Sequence, residues 1–155
     1  MGPIKEPNEP ILIASDHAGV ELKAALIKNL HEVKWEDLGP KTTSPSVDYP
    51  DFAELLSIRV SHEKRLGVLI CGSGIGMSIA ANKVPGVRAA LVENPISAAL
   101  AREHNDANVL CLGARFLACP YAAEIVRAWL QSEPSTEARH TNRVKKLNAL
   151  DGKNK

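Results

Sequence analysis

Leu66-Gly67-Val68-Leu69-Ile70-Cys71-Gly72-Ser73-Gly74-Ile75-Gly76-Met77 decides how the rest of the chain is read. Leu66 to Ile70 is apolar and short, as a strand covered on both faces must be. Cys71 to Gly76 then sets three glycines into one turn. Met77 to Asn82 continues with helical spacing. A strand, a glycine turn and a helix in that order begin a β-α-β unit.

The same alternation runs outward in both directions. Ile11 to Ala14 is a short apolar strand, and Val20, Leu22, Ala25, Leu26 and Leu30 give a helix from about 18 to 31. Val33 to Leu38 reads as a more exposed strand. Gly39 to Pro50 is loop, and Phe52 to Lys64 is a helix. Downstream, strands are expected at Val87 to Val92 and Ala107 to Leu112. Helices are expected at Pro95 to Glu103, Leu117 to Leu130 and about 139 to 148, with Pro95 suited to a first helical turn. Alternating strands and helices predict an α/β fold, with a parallel sheet covered by helices on both faces. Neither an internal repeat nor a second domain is visible. The chain reads as one domain over 1–155, with a flexible lead-in over 1–10 and a flexible tail over 149–155.

The bulk composition removes whole classes of function. A formal net charge of +1 gives no global field for nucleic acid or a membrane surface. Aromatic residues at 4% are too few for base-stacking platforms. Three cysteines, Cys71, Cys111 and Cys119, do not form a disulfide framework. With no membrane-spanning run and no signal-peptide pattern at the N-terminus, a cytoplasmic location is expected.

In open parallel sheets ligands bind beyond the carboxyl ends of the strands. That rule singles out Asp16-His17, the Cys71 loop, Glu93-Asn94 and Gly113-Ala114-Arg115. The loop can approach an anion closely and would favour the thiolate of Cys71. It also reads as a plain strand-to-helix turn around a buried thiol. A third reading is a dinucleotide loop with Glu93 as the ribose-binding acid, although the spacing is G-x-G-x-G. Asp16 could simply cap the next helix, and His17 could face solvent. Arg102 to Asn108 is a dense polar stretch that suits a helix C-terminus. Arg139 and Arg143 stand at i and i+4 on one helical face, either as a solvated basic surface or as a grip for a phosphate dianion.

Taken together, these residues resemble ribose-5-phosphate isomerase type B, in the group that includes the galactose-6-phosphate isomerase subunits. The likeness runs from Ile11 to about Leu147. It is carried by Ser15-Asp16-His17-Ala18-Gly19, Val47-Asp48-Tyr49-Pro50, Ile70 through Lys83, Gly86-Val87-Arg88-Ala89, His104-Asn105-Asp106-Ala107-Asn108-Val109-Leu110, Leu112-Gly113-Ala114-Arg115, and Arg139-His140 with Arg143. Where many relatives carry Gly-Gly, this chain has Glu137-Ala138 ahead of Arg139; Ser73 stands where many have Thr.

The resemblance implies a three-layer Rossmann-like sandwich with a mostly parallel five-stranded sheet and a C-terminal helical arm. It implies an aldose–ketose isomerase acting on a sugar phosphate without metal or other cofactor. Cys71 would take the C2 proton, Ser73 would bond near the reacting oxygens, and the amides of Gly72, Gly74, Ile75 and Gly76 would receive the enediolate. His104 and Asp16 would assist ring opening. His17, Arg115, Arg139 and Arg143 would bind phosphate; Tyr49 and Asn105 would position the sugar. The site would lie between subunits of a homodimer or a dimer of dimers, with His104, Asn105 and the arginine pair facing the partner's Cys71. Ribose 5-phosphate, converted to ribulose 5-phosphate, is the expected substrate; allose 6-phosphate or galactose 6-phosphate, a non-catalytic nucleotide-binding module and a plain interaction domain are the alternatives.

Overall fold

The three central strands are buried along their full length, which is why they read as unbroken apolar runs. The computed structural model describes residues 9–153 and gives these strands as β1 (Ile11–Ser15), β3 (Gly67–Cys71) and β5 (Val109–Gly113). The edge strands β2 (Trp35–Asp37) and β4 (Ala89–Leu91) are three residues each and only half-buried. The sheet order is β2-β1-β3-β5-β4, and every pairing is parallel. Cys71 stands level with Gly113 at the carboxyl edge, and Gly67 level with Val109 at the amino edge.

Side chains alternate across this sheet and make two cores. Ile11, Ile13, Val68, Ile70, Leu110 and Leu112 face α1 (Val20–Asn29), α4 (Pro95–Asn105) and α5 (Cys119–Gln131). Leu12, Ala14, Leu69, Cys71, Val109 and Cys111 face α2 (Tyr49–Glu63) and α3 (Ile75–Ala81). The two-residue period of a strand sends neighbours to opposite layers. A last helix, α6 (Ala138–Asn148), lies against α4. This is the three-layer α/β sandwich expected, with its C-terminal helical arm. The lead-in expected over 1–10 lies, but for its last two residues, outside the described residues. At the start of the segment read as a tail, the Asp151 carboxylate accepts a hydrogen bond from the Gly86 amide at 2.8 Å.

Four charges tie the amino edge of the sheet to α2. Arg59 donates to Glu36 at 2.5 Å and to Glu63 at 2.7 Å. Arg65, buried, reaches Glu63 and Glu36, each at 2.8 Å, and donates to the Pro10 carbonyl. Hydrogen bonds from Arg59 and then Arg65 pull the Glu63 carboxyl from 4.5 down to about 2, and hold Glu36 low as well. A carboxylate with a lowered folded-state pKa stabilises the fold above its unfolded value and stops doing so as pH falls. The stabilisation is therefore complete above about pH 4.5 and is lost towards about pH 2. Urea midpoints measured across that range should fall more steeply for the wild type than for Glu63→Gln. Equal slopes would contradict this.

Candidate active site

The carboxyl edge of the sheet gathers one set of the expected residues. β2 lies on one side of β1 and β3 on the other, so the crevice between β1 and β3 is where the winding reverses. Asp16 and His17 leave β1 there, and the Cys71 loop leaves β3. The Asp16 Oδ1 accepts from the amides of Ala18 (2.9 Å) and Gly19 (3.1 Å), capping a 3₁₀ turn. His17 Nδ1 lies 3.2 Å from both the carbonyl oxygen and the amide nitrogen of Val47. It donates to the first in one tautomer and accepts from the second in the other. Ser46 Oγ is 3.3 Å from the same nitrogen. The loop before α2 thus fixes the imidazole, a role for Ser46 and Val47 that the sequence reading did not see.

Gly74 is the hinge of the loop. Its φ is +76°, and a Cβ there would come within 2.9 Å of the Leu112 backbone. Only glycine takes that conformation without strain. The turn returns the Gly74 amide to Cys71, where it donates to Sγ at 3.1 Å. Cys71 is 4% exposed, set between the β3 core and the loop. Ser73 is half-buried, and its Oγ accepts from the Ile75 amide at 3.3 Å. Two of the amides expected to face an enediolate, those of Gly74 and Ile75, therefore have partners inside the loop. The first-turn amides of α3, Gly76 among them, have no intrahelical acceptor.

Two exposed side chains cover the glycines. The Tyr49 ring lies over Gly76, so close that a Cβ there would be 2.6 Å from it. The Arg115 guanidinium lies over Gly72, 2.9 Å from the position a Cβ would take. Arg115 is held there from beneath by its own amide, which donates to the Gly72 carbonyl at 3.0 Å. A cation and a phenol thus lie over the glycine loop that carries the thiol.

The remaining expected residues are at the other end of the molecule. α4 starts beyond the carboxyl end of β4, capped by Asn94 through the Ser97 amide. It runs back for eleven residues, roughly 16 Å, to the amino edge of the sheet. His104 and Asn105 are its last two residues. α6 carries Arg139 and Arg143, both exposed, beside them. The His104 and His140 rings stack at 4.2 Å, 9° from parallel. Desolvation, then the charges of His104 and Arg139, hold His140 below the usual imidazole range, with Glu137 opposing. Glu137 also accepts from Arg139 Nε at 2.7 Å. His140 was not among the residues picked as a site; its signal was the spacing of His140 and Val144 on the inward side of α6. Within one chain, then, Cys71 and His104 occupy opposite edges of the sheet.

The sheet order also bears on the dinucleotide reading. β5 separates β4 from β3, so Glu93 does not follow the strand next to β3. A ribose-binding acid belongs on the neighbouring strand. The fold and the crevice instead define a small-molecule enzyme of the open parallel α/β class, with a thiol and an arginine beside the crevice.

Comparison with known proteins makes the class specific. The Ribose/Galactose Isomerase family model matches residues 11–147. A probable ribose-5-phosphate isomerase B from Mycoplasma pneumoniae is 48% identical over 147 residues, covering 93% of this chain and 96% of that one. The Clostridium thermocellum ribose-5-phosphate isomerase B structure superposes with a TM-score of 0.89 at 41% identity, covering 95% of this chain and all of the other. The Mycoplasma genitalium ribose-5-phosphate isomerase B, solved with bound ribulose-5-phosphate, gives 0.87 at 42% identity, with 93% and 97% covered. This chain belongs to the ribose/galactose isomerase family.

Proposed function

We propose that this chain interconverts ribose 5-phosphate and ribulose 5-phosphate through an enediol, as a step of pentose phosphate metabolism. The observation that carries the reading is the Cys71 thiol, hydrogen-bonded by its own glycine loop and flanked by Arg115. Cys71 removes the proton from C2 of the open aldose, and the electron pair moves into the C1–C2 bond as charge passes to O1. A proton returns to C1, and the O2 hydroxyl proton moves to O1, so the ketose forms with no net change in atoms. Amides of the loop and the Ser73 hydroxyl stabilise the oxygen on which charge builds, in the manner of an oxyanion hole. Asp16 and His104 assist ring opening. Tyr49 and Asn105 position the sugar. His17, Arg115, Arg139 and Arg143 hold the phosphate, far from the reacting carbons, and so orient the open chain.

Because one copy separates Cys71 from His104, the complete site needs two copies. Exposed Ile75 and Ile79 on α3, with Ile96 and Leu100 on α4, make an apolar face beside the open edge of β4. A two-fold axis through that face would bring the α4 end of each copy to the Cys71 loop of the other. The homodimer is the smallest assembly that meets this requirement. All three cysteines are free, which suits a reducing, cytoplasmic compartment. Among the described residues no helix is long and apolar enough to cross a membrane.

The family also holds isomerases of six-carbon sugars. Steady-state assays on ribose 5-phosphate, allose 6-phosphate and galactose 6-phosphate should give the highest kcat/KM for ribose 5-phosphate, by about tenfold or more. A preference for either hexose phosphate would reassign the substrate.

A further inference from the structure

Gly86-Val87-Arg88-Ala89 is one of the motifs that carry the family likeness, yet the proposed chemistry gives it no part. In the fold it meets the His104 to Asn108 motif. Arg88 Nε donates to the main-chain oxygens of Asn105 (3.1 Å) and Asp106 (2.9 Å). Its Nη2 donates to Asp106 Oδ2 and its Nη1 to Asn148 Oδ1, both at 2.9 Å. The Arg88 backbone is itself fixed by Asn108, whose Oδ1 accepts from its amide at 2.8 Å. Asn108 also returns Nδ2 to the Gly86 carbonyl at 2.8 Å.

The acceptors are not a random set. The last carbonyls of a helix have no partner within it. α4 ends at Asp106 in the left-handed region, with φ at +46°, and Arg88 closes that end. Its remaining nitrogen reaches the last residue of α6. One planar cation therefore joins the helix that ends in His104 and Asn105 to the helix that carries Arg139 and Arg143. A guanidinium offers several donors in one fixed plane, whereas an ammonium is a single point.

We propose that Arg88 is a positioning residue for this half of the active site. It sets the angle between α4 and α6, and hence where Asn105, His104 and the phosphate-binding arginines stand when a second copy supplies Cys71. It touches no substrate. Arg102 also donates to Asp106, through Oδ1, so removing Arg88 leaves that carboxylate paired and the fold intact. Two surface cavities of about 370 and 400 Å³, both lined by Arg88, Asn148 and Asp151, flank the guanidinium. They leave room for a free guanidinium ion to take its place.

The kinetic part of the test rests on the isomerase reading, so wild-type turnover of ribose 5-phosphate is measured first. Arg88→Ala should fold, by circular dichroism, and lose about 10²-fold in kcat/KM, the scale expected when reacting groups are held about 1 Å out of place. Sub-denaturing guanidinium chloride should restore part of the loss and saturate; sodium chloride at equal strength should not, and the wild type should not be activated. Arg88→Lys should stay impaired. Wild-type kcat/KM in either variant, at whatever melting temperature, overturns the proposal, as does a folded Arg88→Ala that guanidinium leaves unchanged. Amide hydrogen exchange over 102–108 and 138–148 is read in parallel and needs no turnover. It should quicken in Arg88→Ala and slow again with guanidinium. Unchanged exchange overturns the proposal even if the wild type proves to isomerise nothing, which would sink the proposed function separately.

Discussion

Cys71→Ala should fold and yet lose about 10²–10⁴-fold in kcat on ribose 5-phosphate, the range a positioned base contributes. The fold should survive because little is removed. Sγ is one atom at the rim of the α2–α3 core, and its loss should cost about 1 kcal/mol, as for other single-group deletions in a core. The Gly74 amide loses its sulfur acceptor, which should cost about 1–3 kcal/mol. KM should change far less than kcat, since the phosphate contacts proposed above are His17 and the arginines and not the thiol. Cys71→Ser is the sharper control. It keeps an acceptor for Gly74 but exchanges a thiol for a hydroxyl that does not ionise near neutral pH. Near-native turnover in Cys71→Ser would mean that hydrogen bonding, not proton abstraction, is what this position supplies.

How much of this was legible in the sequence depends on which physical signal a feature leaves. β1, β3 and β5 were visible because burial on both faces forces continuous apolar runs. β2 and β4 were read longer than they are, at Val33 to Leu38 and Val87 to Val92. Each has one neighbour only: Lys34, Leu38, Arg88 and Val92 keep a backbone hydrogen bond to that neighbour, but regular pairing spans just three residues. The glycine turn was legible through Gly74, whose positive φ admits little else. Strand order was not legible, because nothing local in Glu93 reveals that β5 inserts between β4 and β3. The same blindness hid the division of the site. Arg102 to Asn108 reads as a polar stretch near a strand, but only the antiparallel course of α4 puts His104 at the edge opposite Cys71. Arg88 left the weakest trace of all, since its four acceptors lie 17 to 60 positions away along the chain.

That division leads to the second large effect. Cys71→Ala damages the half of the site at the carboxyl edge; Arg143→Ala damages the half beside α4. Neither variant should turn over appreciably alone, the first for want of a base and the second for want of a phosphate anchor. In a mixed dimer with an isologous interface, one site collects both defects and the other collects neither. Unfolding and refolding the two variants together at equal concentration should make half of the dimers mixed, and so restore about one quarter of the wild-type sites. Activity should follow the fraction of mixed dimers, measured by mass spectrometry of differently tagged chains, and not total protein. Mixed dimers as inactive as their parents would show that each chain completes its own site, which the roughly 16 Å course of α4 away from the Cys71 loop makes geometrically untenable without a large movement of that helix.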